Sequence, residues 1–120
     1  MFCYKCFFME QISWNDFEKV ELRVGTIIDA KDFPEAKKPA YQLTIDFGKE
    51  IGVRNSSAQI TSLYKKEELI GRQIVAVVNF PPKQIANFLS ECLVTGFKTS
   101  ETDVVLIQPD RKIENGLKLM

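Results

Sequence analysis

Apolar and polar residues alternate along two long stretches of the chain, and a period of two predicts strands. In VELRVGTIIDAKDF, Leu22, Val24 and Thr26 fall on one side and Arg23 and Gly25 on the other. A glycine in mid-strand predicts a bend or bulge of the kind small barrels use at corners. In AYQLTIDFG, Tyr41, Leu43, Ile45 and Phe47 face one way, and Gly48 to Glu50 predicts a hairpin turn into IGVRNSSAQ. RQIVAVVNF is apolar on both faces, which predicts a central strand. ECLVTGF and DVVLIQP supply further strands, and Asn115-Gly116 marks a late turn before LKLM.

Helical signals occur twice. ISWNDFEKV predicts a short helix capped by Ser13, with Asp16 one turn in at the positive end of the helix dipole. SLYKKEELIG spaces Leu63, Tyr64, Leu69 and Ile70 for a helix around Thr61 to Ile70, with Gly71 as its stop. A series of about six strands with a helix between the third and fourth predicts an all-β OB-fold, a Greek-key barrel of five to six strands. A sandwich or an SH3-like barrel gives no reason for that helix. Residues 1–12 read as an N-terminal extension and 13–120 as one domain.

Composition narrows the function. Of 120 residues, 45% are hydrophobic and 27% charged, an ordinary balance for a folded domain large enough to bury a core. Lys+Arg and Asp+Glu number 16 each, so bulk attraction to DNA or anionic membranes is not the organising force, although a local basic patch remains open. The chain has no histidine, which removes the commonest general base and metal ligand. No catalytic constellation remains, so the expectation is a protein that is not an enzyme, with no cofactor and no metal. Cys3 and Cys6 form a CxxC in MFCYKCFF, half of a tetrahedral zinc site with no further ligand cluster behind it. The plainer reading of that stretch is a ragged apolar extension, since MEQISWNDF from Met9 itself reads like a protein start. Cys92, inside an apolar run, reads as a small core residue. No segment has the apolar length of a bilayer span, and the expected location is cytoplasmic.

The segment NFPPKQIANFLSE interrupts the apolar chain with a rigid elbow. Pro81 and Pro82 lack N–H groups and end the strand, while their fixed backbone angles stiffen the loop. Lys83 and Gln84 then project from a stiff base, Asn79 carries an amide where strand pairing ends, and Phe80 offers an apolar or stacking face. The bland alternative is a strand terminator bearing a solvated lysine. RNSSAQ is a second polar constellation. Arg54 suits a phosphate or carboxylate, and Asn55, Ser56 and Ser57 either line a site or cap the following helix. Ser90 and Glu91 open the next strand, where Glu91 is placed to orient Lys83 or Arg54. Phe80, Ile85, Phe88 and Tyr41 supply apolar walls. Phe17, Leu117 and Leu119 are apolar groups near the chain ends and suit a dimer surface.

DFEKVELRVGTIIDAKDFPEA, RNSSAQIT and VVNFPPKQIANFLSECLV, in that order, resemble the tRNA-binding domain family. In that family an LRVG strand opens the barrel, and an Asn-(Leu/Phe)-x-Pro-(Lys/Arg) elbow precedes a Ser-Glu strand. The likeness runs from about Asp16 to Leu119, and NSSAQIT and NFPPKQIA are most similar to its CsaA-type branch. Synthetase-type members carry a His-Pro-Asn-Ala-Asp-Lys-like loop after the first strand, whereas this chain has FPEAKKPAY, as the CsaA-type branch does. The resemblance implies an export-related chaperone that binds unfolded or presecretory polypeptide as a homodimer, with tRNA binding by the same rim as the alternative. With the elbow at the family's position, the expected ligand contacts are Arg54, Asn55, Ser56, Ser57, Asn79, Phe80, Lys83, Gln84, Phe88, Ser90 and Glu91.

Overall fold

The computed structural model describes residues 8–120. Cys3 and Cys6 lie outside them. Ser13 caps a short helix, α1 (Trp14–Glu18). Its hydroxyl accepts the Asp16 N–H at 3.0 Å while the Asp16 carboxylate accepts the Ser13 N–H at 3.2 Å. This reciprocal box satisfies donors that a helix start leaves orphaned.

The chain then enters β1 (Leu22–Asp32), which has two partners. Its first half pairs antiparallel with β4 (Gln73–Val77) and its second with β2 (Tyr41–Asp46), Thr26 being shared between Asp46 and Gln73. A strand that changes partners midway turns the corner of a barrel. The register slips between Ile27 and Asp29, so the bulge lies beyond Gly25, where the sequence suggested it. Gly25 serves close packing instead: a Cβ there would stand 2.7 Å from both Ile45 Cγ2 and Phe47 Cδ1.

Alternation in β2 delivers Tyr41, Leu43 and Ile45, with Phe47 just beyond, into the core, where they meet Ile27, Leu69 and Ile74. β3 (Val53–Ala58) pairs with β2, and β7 (Leu93–Val94) with β4, giving the order β3-β2-β1-β4-β7. The barrel is nearly closed between β3 and the segment before β7. There the Ser56 hydroxyl donates to the Cys92 carbonyl at 2.8 Å, and the Glu91 N–H donates to the Asn55 carbonyl at 2.8 Å. Burial pushes the Cys92 thiol up to about 11, in keeping with a small core residue. The fold is an all-β OB barrel, as the strand pattern predicts.

Three details differ from the sequence reading. The second helix, α2 (Lys66–Leu69), is a single turn and not a helix from Thr61, because Lys65 is extended and Leu69 is its only buried residue. The elbow continues into a small hairpin, β5 (Lys83–Ile85) with β6 (Phe88–Ser90), which the prolines had masked. ECLVTGF and DVVLIQP yield only short pieces, β7 followed by the hairpin β8 (Gly96–Lys98) and β9 (Val104–Leu106), so the described residues hold nine strands where about six were expected.

The C-terminal segment occupies the edge of β1 that β2 leaves open. Leu119 N–H donates to the Leu22 carbonyl at 2.8 Å and Val24 N–H to the Leu117 carbonyl at 3.1 Å. Lys118 Nζ reaches the Glu18 carbonyl at 2.9 Å and Glu21 Oε2 at 3.2 Å, tying the tail to the end of α1. Arg23 and Lys118 together hold the Glu21 carboxyl below its ordinary range. Leu117 and Leu119 remain about half exposed, and Ile12 and Trp14 are more exposed still.

Candidate ligand-binding groove

The elbow is built from its base upward. Val78 ends the β4 run and donates its N–H to the Glu21 carbonyl at 2.9 Å. Asn79 Nδ2 donates to the Lys19 carbonyl at 2.7 Å, and its Oδ1 accepts the Glu21 N–H at 3.1 Å. Arg54 Nη1 donates to the Val78 carbonyl at 2.9 Å. Asn79 and Arg54 therefore clamp the foot of the elbow to the α1–β1 junction and to β3. Pro81 and Pro82 follow, and the hairpin rises from a fixed point.

The hairpin is also stapled along its length. The Ser90 hydroxyl accepts the Ser57 N–H at 3.0 Å, and the Glu91 carboxylate accepts the Asn55 N–H at 2.9 Å. Glu91 thus binds backbone, in place of the Lys83 or Arg54 partner the sequence suggested. Phe88 packs edge-on against Phe33, with ring centroids 5.4 Å apart, and so pins the hairpin to the β1–β2 loop. Gln84 Nε2 donates to the Ala86 carbonyl at 2.9 Å across the hairpin tip, where Ala86 takes a φ of 52°.

Between that loop and the hairpin lies a groove of about 590 Å³. The end of β3 contributes Ser57, followed by Gln59; the hairpin contributes Lys83, Gln84 and Ile85; the facing loop contributes Glu35, Lys37 and Lys38. Loops after the first strand and before the last, flanking the face of strands two and three, are where OB-folds bind their ligands. Of the residues expected from the sequence, the groove brings together Ser57, Lys83, Gln84 and Ile85, whereas Tyr41 is buried in the core and does not line it. Arg54, Asn55, Asn79, Phe88, Ser90 and Glu91 form its support through the bonds just described. Ser56 is buried and turned toward Cys92, and Phe80, 54% exposed, lies outside the lining. Asn55 to Ser57 lie within β3 and cap no helix.

Sequence reasoning missed Lys37, Lys38 and Gln59 as groove residues. A signal existed: two lysines held between Pro34 and Pro39 in the connection between two strands. A larger cavity of about 670 Å³ lies between the 47–50 turn and the C-terminal segment, but its Arg23 is committed to Glu21 and the Gly116 carbonyl, and its Lys118 to Glu21 and the Glu18 carbonyl. Among the described residues Lys37, Lys38 and Lys83 form no ion pair, and no cluster of three or more His, Cys, Asp or Glu is placed to hold a metal. No helix among them is long and apolar enough to cross a membrane.

A barrel with a stiff two-lipped groove, and with rim lysines that form no ion pair among the described residues, defines an OB-fold domain with a candidate binding site. Residues 22–118 match the family described as "Putative tRNA binding domain", and the chain belongs to that tRNA-binding domain family. It is similar in structure to the chaperone CsaA of Bacillus anthracis str. Ames, at 51% identity and a TM-score of 0.87 over 92% of this chain and 100% of that one. The CsaA chaperone protein of Picrophilus torridus is 56% identical with a TM-score of 0.84, over 92% and 100% of the two chains. The methionine–tRNA ligase of Pyrococcus horikoshii is 37% identical over 111 residues, which are 92% of this chain and 15% of that protein. The chain thus spans roughly one-seventh of that curated relative's length.

Proposed function

We propose that the protein is a non-catalytic binding domain of the CsaA type that captures unfolded or presecretory polypeptide in the groove, acting as a cytoplasmic homodimer. The observation that carries this reading is the groove itself: carbon surfaces of Ala36, Ala40, Ile85 and Ala86, rimmed by lysines and by the amides of Gln59 and Gln84. An extended chain needs both, apolar contact for alternate side chains and hydrogen-bonding groups for its backbone. The identity of more than half to two CsaA chaperones over their whole lengths supports the same class. Exposed Ile12, Trp14, Leu117, Leu119 and Met120, near a helix and tail joined through Lys118 and Glu18, support a self-association surface. Phe17, half-buried and 5.4 Å from the Trp14 ring, belongs to the same side.

The alternative, binding of tRNA by the same rim, draws on the three rim lysines and on the family's name. Salt separates the two. Phosphate-driven binding of a labelled tRNA pool weakens steeply between low and moderate salt, whereas apolar capture of an unfolded secretory precursor does not. Capture of the precursor at both salt levels is expected; salt-sensitive binding of tRNA alone would favour the alternative.

Two substitutions separate the groove wall from its foundation. Lys83→Ala is expected to weaken capture by about tenfold, since a contact to a charged group is worth ~1.5–3 kcal/mol, while stability changes by ~0.5 kcal/mol or less. Arg54→Ala is expected to lower folding stability by ~1–3 kcal/mol by orphaning the Val78 carbonyl. Equal binding by Lys83→Ala and the parent protein would reduce the elbow to a strand terminator.

A further inference from the structure

The groove does not end at β3. A second cavity of about 340 Å³ begins at Lys38 and Gln59, which line both, and runs to the β8–β9 hairpin. Its far wall carries Lys98, Glu101 and Thr102, with Ser62 on the near side. That wall is fixed. The Tyr64 hydroxyl accepts the Leu106 N–H at 3.1 Å, and the Ser62 hydroxyl donates to the Asp103 carboxylate. Lys98 stands opposite Val104 in the hairpin register, and like Lys37, Lys38 and Lys83 it forms no ion pair among the described residues.

We propose that the two cavities form one extended site, selective for acidic stretches of unfolded polypeptide, with Lys98 reading the far end; this rests on the polypeptide reading above. The charge balance carries the selectivity. Lys37, Lys38, Lys83 and Lys98 face Glu35 and Glu101, a local excess of positive charge on a chain of formal net charge zero. Unpaired ammonium groups on a rim attract carboxylates and repel a basic chain. The lining argues for a polypeptide over RNA. Among the described residues no aromatic ring lines either cavity, so they build no stacking platform there of the kind single-stranded nucleic acid sites use. Two glutamates interrupt the lysine stripe, which disfavours a polymer bearing a phosphate at every unit. A chain whose carboxylates alternate with apolar residues meets lysines at the rim and Pro39, Ala40, Ile85 and Val104 below.

The test is a set of fluorescence anisotropy titrations of the full chain with labelled unfolded peptides of equal length and equal apolar content. One carries Asp and Glu, one Gln at the same positions, one Lys; an oligoadenylate is the fourth probe. The acidic peptide is expected to bind about tenfold more tightly than the Gln peptide, with the Lys peptide weakest. Lys98→Glu is expected to reduce acidic-peptide affinity about fivefold while leaving the Gln peptide unchanged. Lys112→Glu, a charge reversal away from the groove, controls for net charge and leaves both unchanged. Equal affinity for acidic and Gln peptides, or equal losses on both with Lys98→Glu, overturns the selectivity while leaving polypeptide capture standing. Binding of oligoadenylate with no peptide bound overturns both.

Discussion

Phe47→Ala is expected to cost about 3–5 kcal/mol of folding free energy, the range for emptying a fully buried aromatic site. Phe47 is fully buried at the end of β2, and its ring lies under Gly25 where β1 crosses it. Close approach of the two strands depends on both residues. Gly25→Ala places a Cβ 2.7 Å from Phe47 Cδ1 and 2.7 Å from Ile45 Cγ2, an overpacking worth about 1–3 kcal/mol. Combining Gly25→Ala with Phe47→Leu relieves part of the clash, so the double variant should be more stable than the sum of the singles implies. Thermal unfolding reads these directly, at very roughly 4 °C per kcal/mol for a chain of this size. A loss below about 1 kcal/mol for Phe47→Ala would mean that the barrel core is not centred on this crossing.

Gly116→Val is expected to detach the C-terminal segment and, with it, to disrupt the proposed homodimer. Gly116 has a φ of 95°, and a Cβ there would lie 2.6 Å from the Phe47 carbonyl oxygen. A left-handed conformation costs an L-residue about 1–2 kcal/mol, and a backbone oxygen cannot swing aside as a side chain can. The segment must shift, which breaks the 2.7 Å bond from Gly116 N–H to the Val24 carbonyl and the two that follow through Leu117 and Leu119. Leu117 and Leu119 then lose the position that Lys118 fixes against the end of α1. Sedimentation should give the parent as a species of twice 13.7 kDa and the variant as a monomer. A monomeric parent contradicts the homodimer, and a variant that stays dimeric removes the tail from the interface.

Local signals were legible in the sequence and long-range partnerships were not. Ser13 and Asp16 announce their capping box because both partners lie within one turn. The alternation from Tyr41 to Phe47 and the doubly apolar QIVAVV fix which strands bury one face or both. Asn79 and Arg54 looked like free polar groups because their partners, Lys19, Glu21 and Val78, are 24 to 60 positions away in the chain. Nothing in the local pattern says that an exposed-looking amide will be used by backbone. The second helix was overestimated for a similar reason, since apolar spacing from Leu63 to Ile70 is served equally well by a turn, an extended Lys65 and one helical turn. The groove's opposite lip went unseen as a site because a polar loop acquires meaning only when the fold sets it against the elbow.

Titration of the amide-resolved NMR spectrum with an unfolded precursor peptide tests the groove most directly. The account predicts shifts concentrated in 35–40, 57–59 and 83–86, reaching 98–104 along the second cavity, with the cavity bounded by Gly48 and Leu117 unmoved. Shifts centred on 47–50 and 114–118, with 83–86 silent, would contradict it.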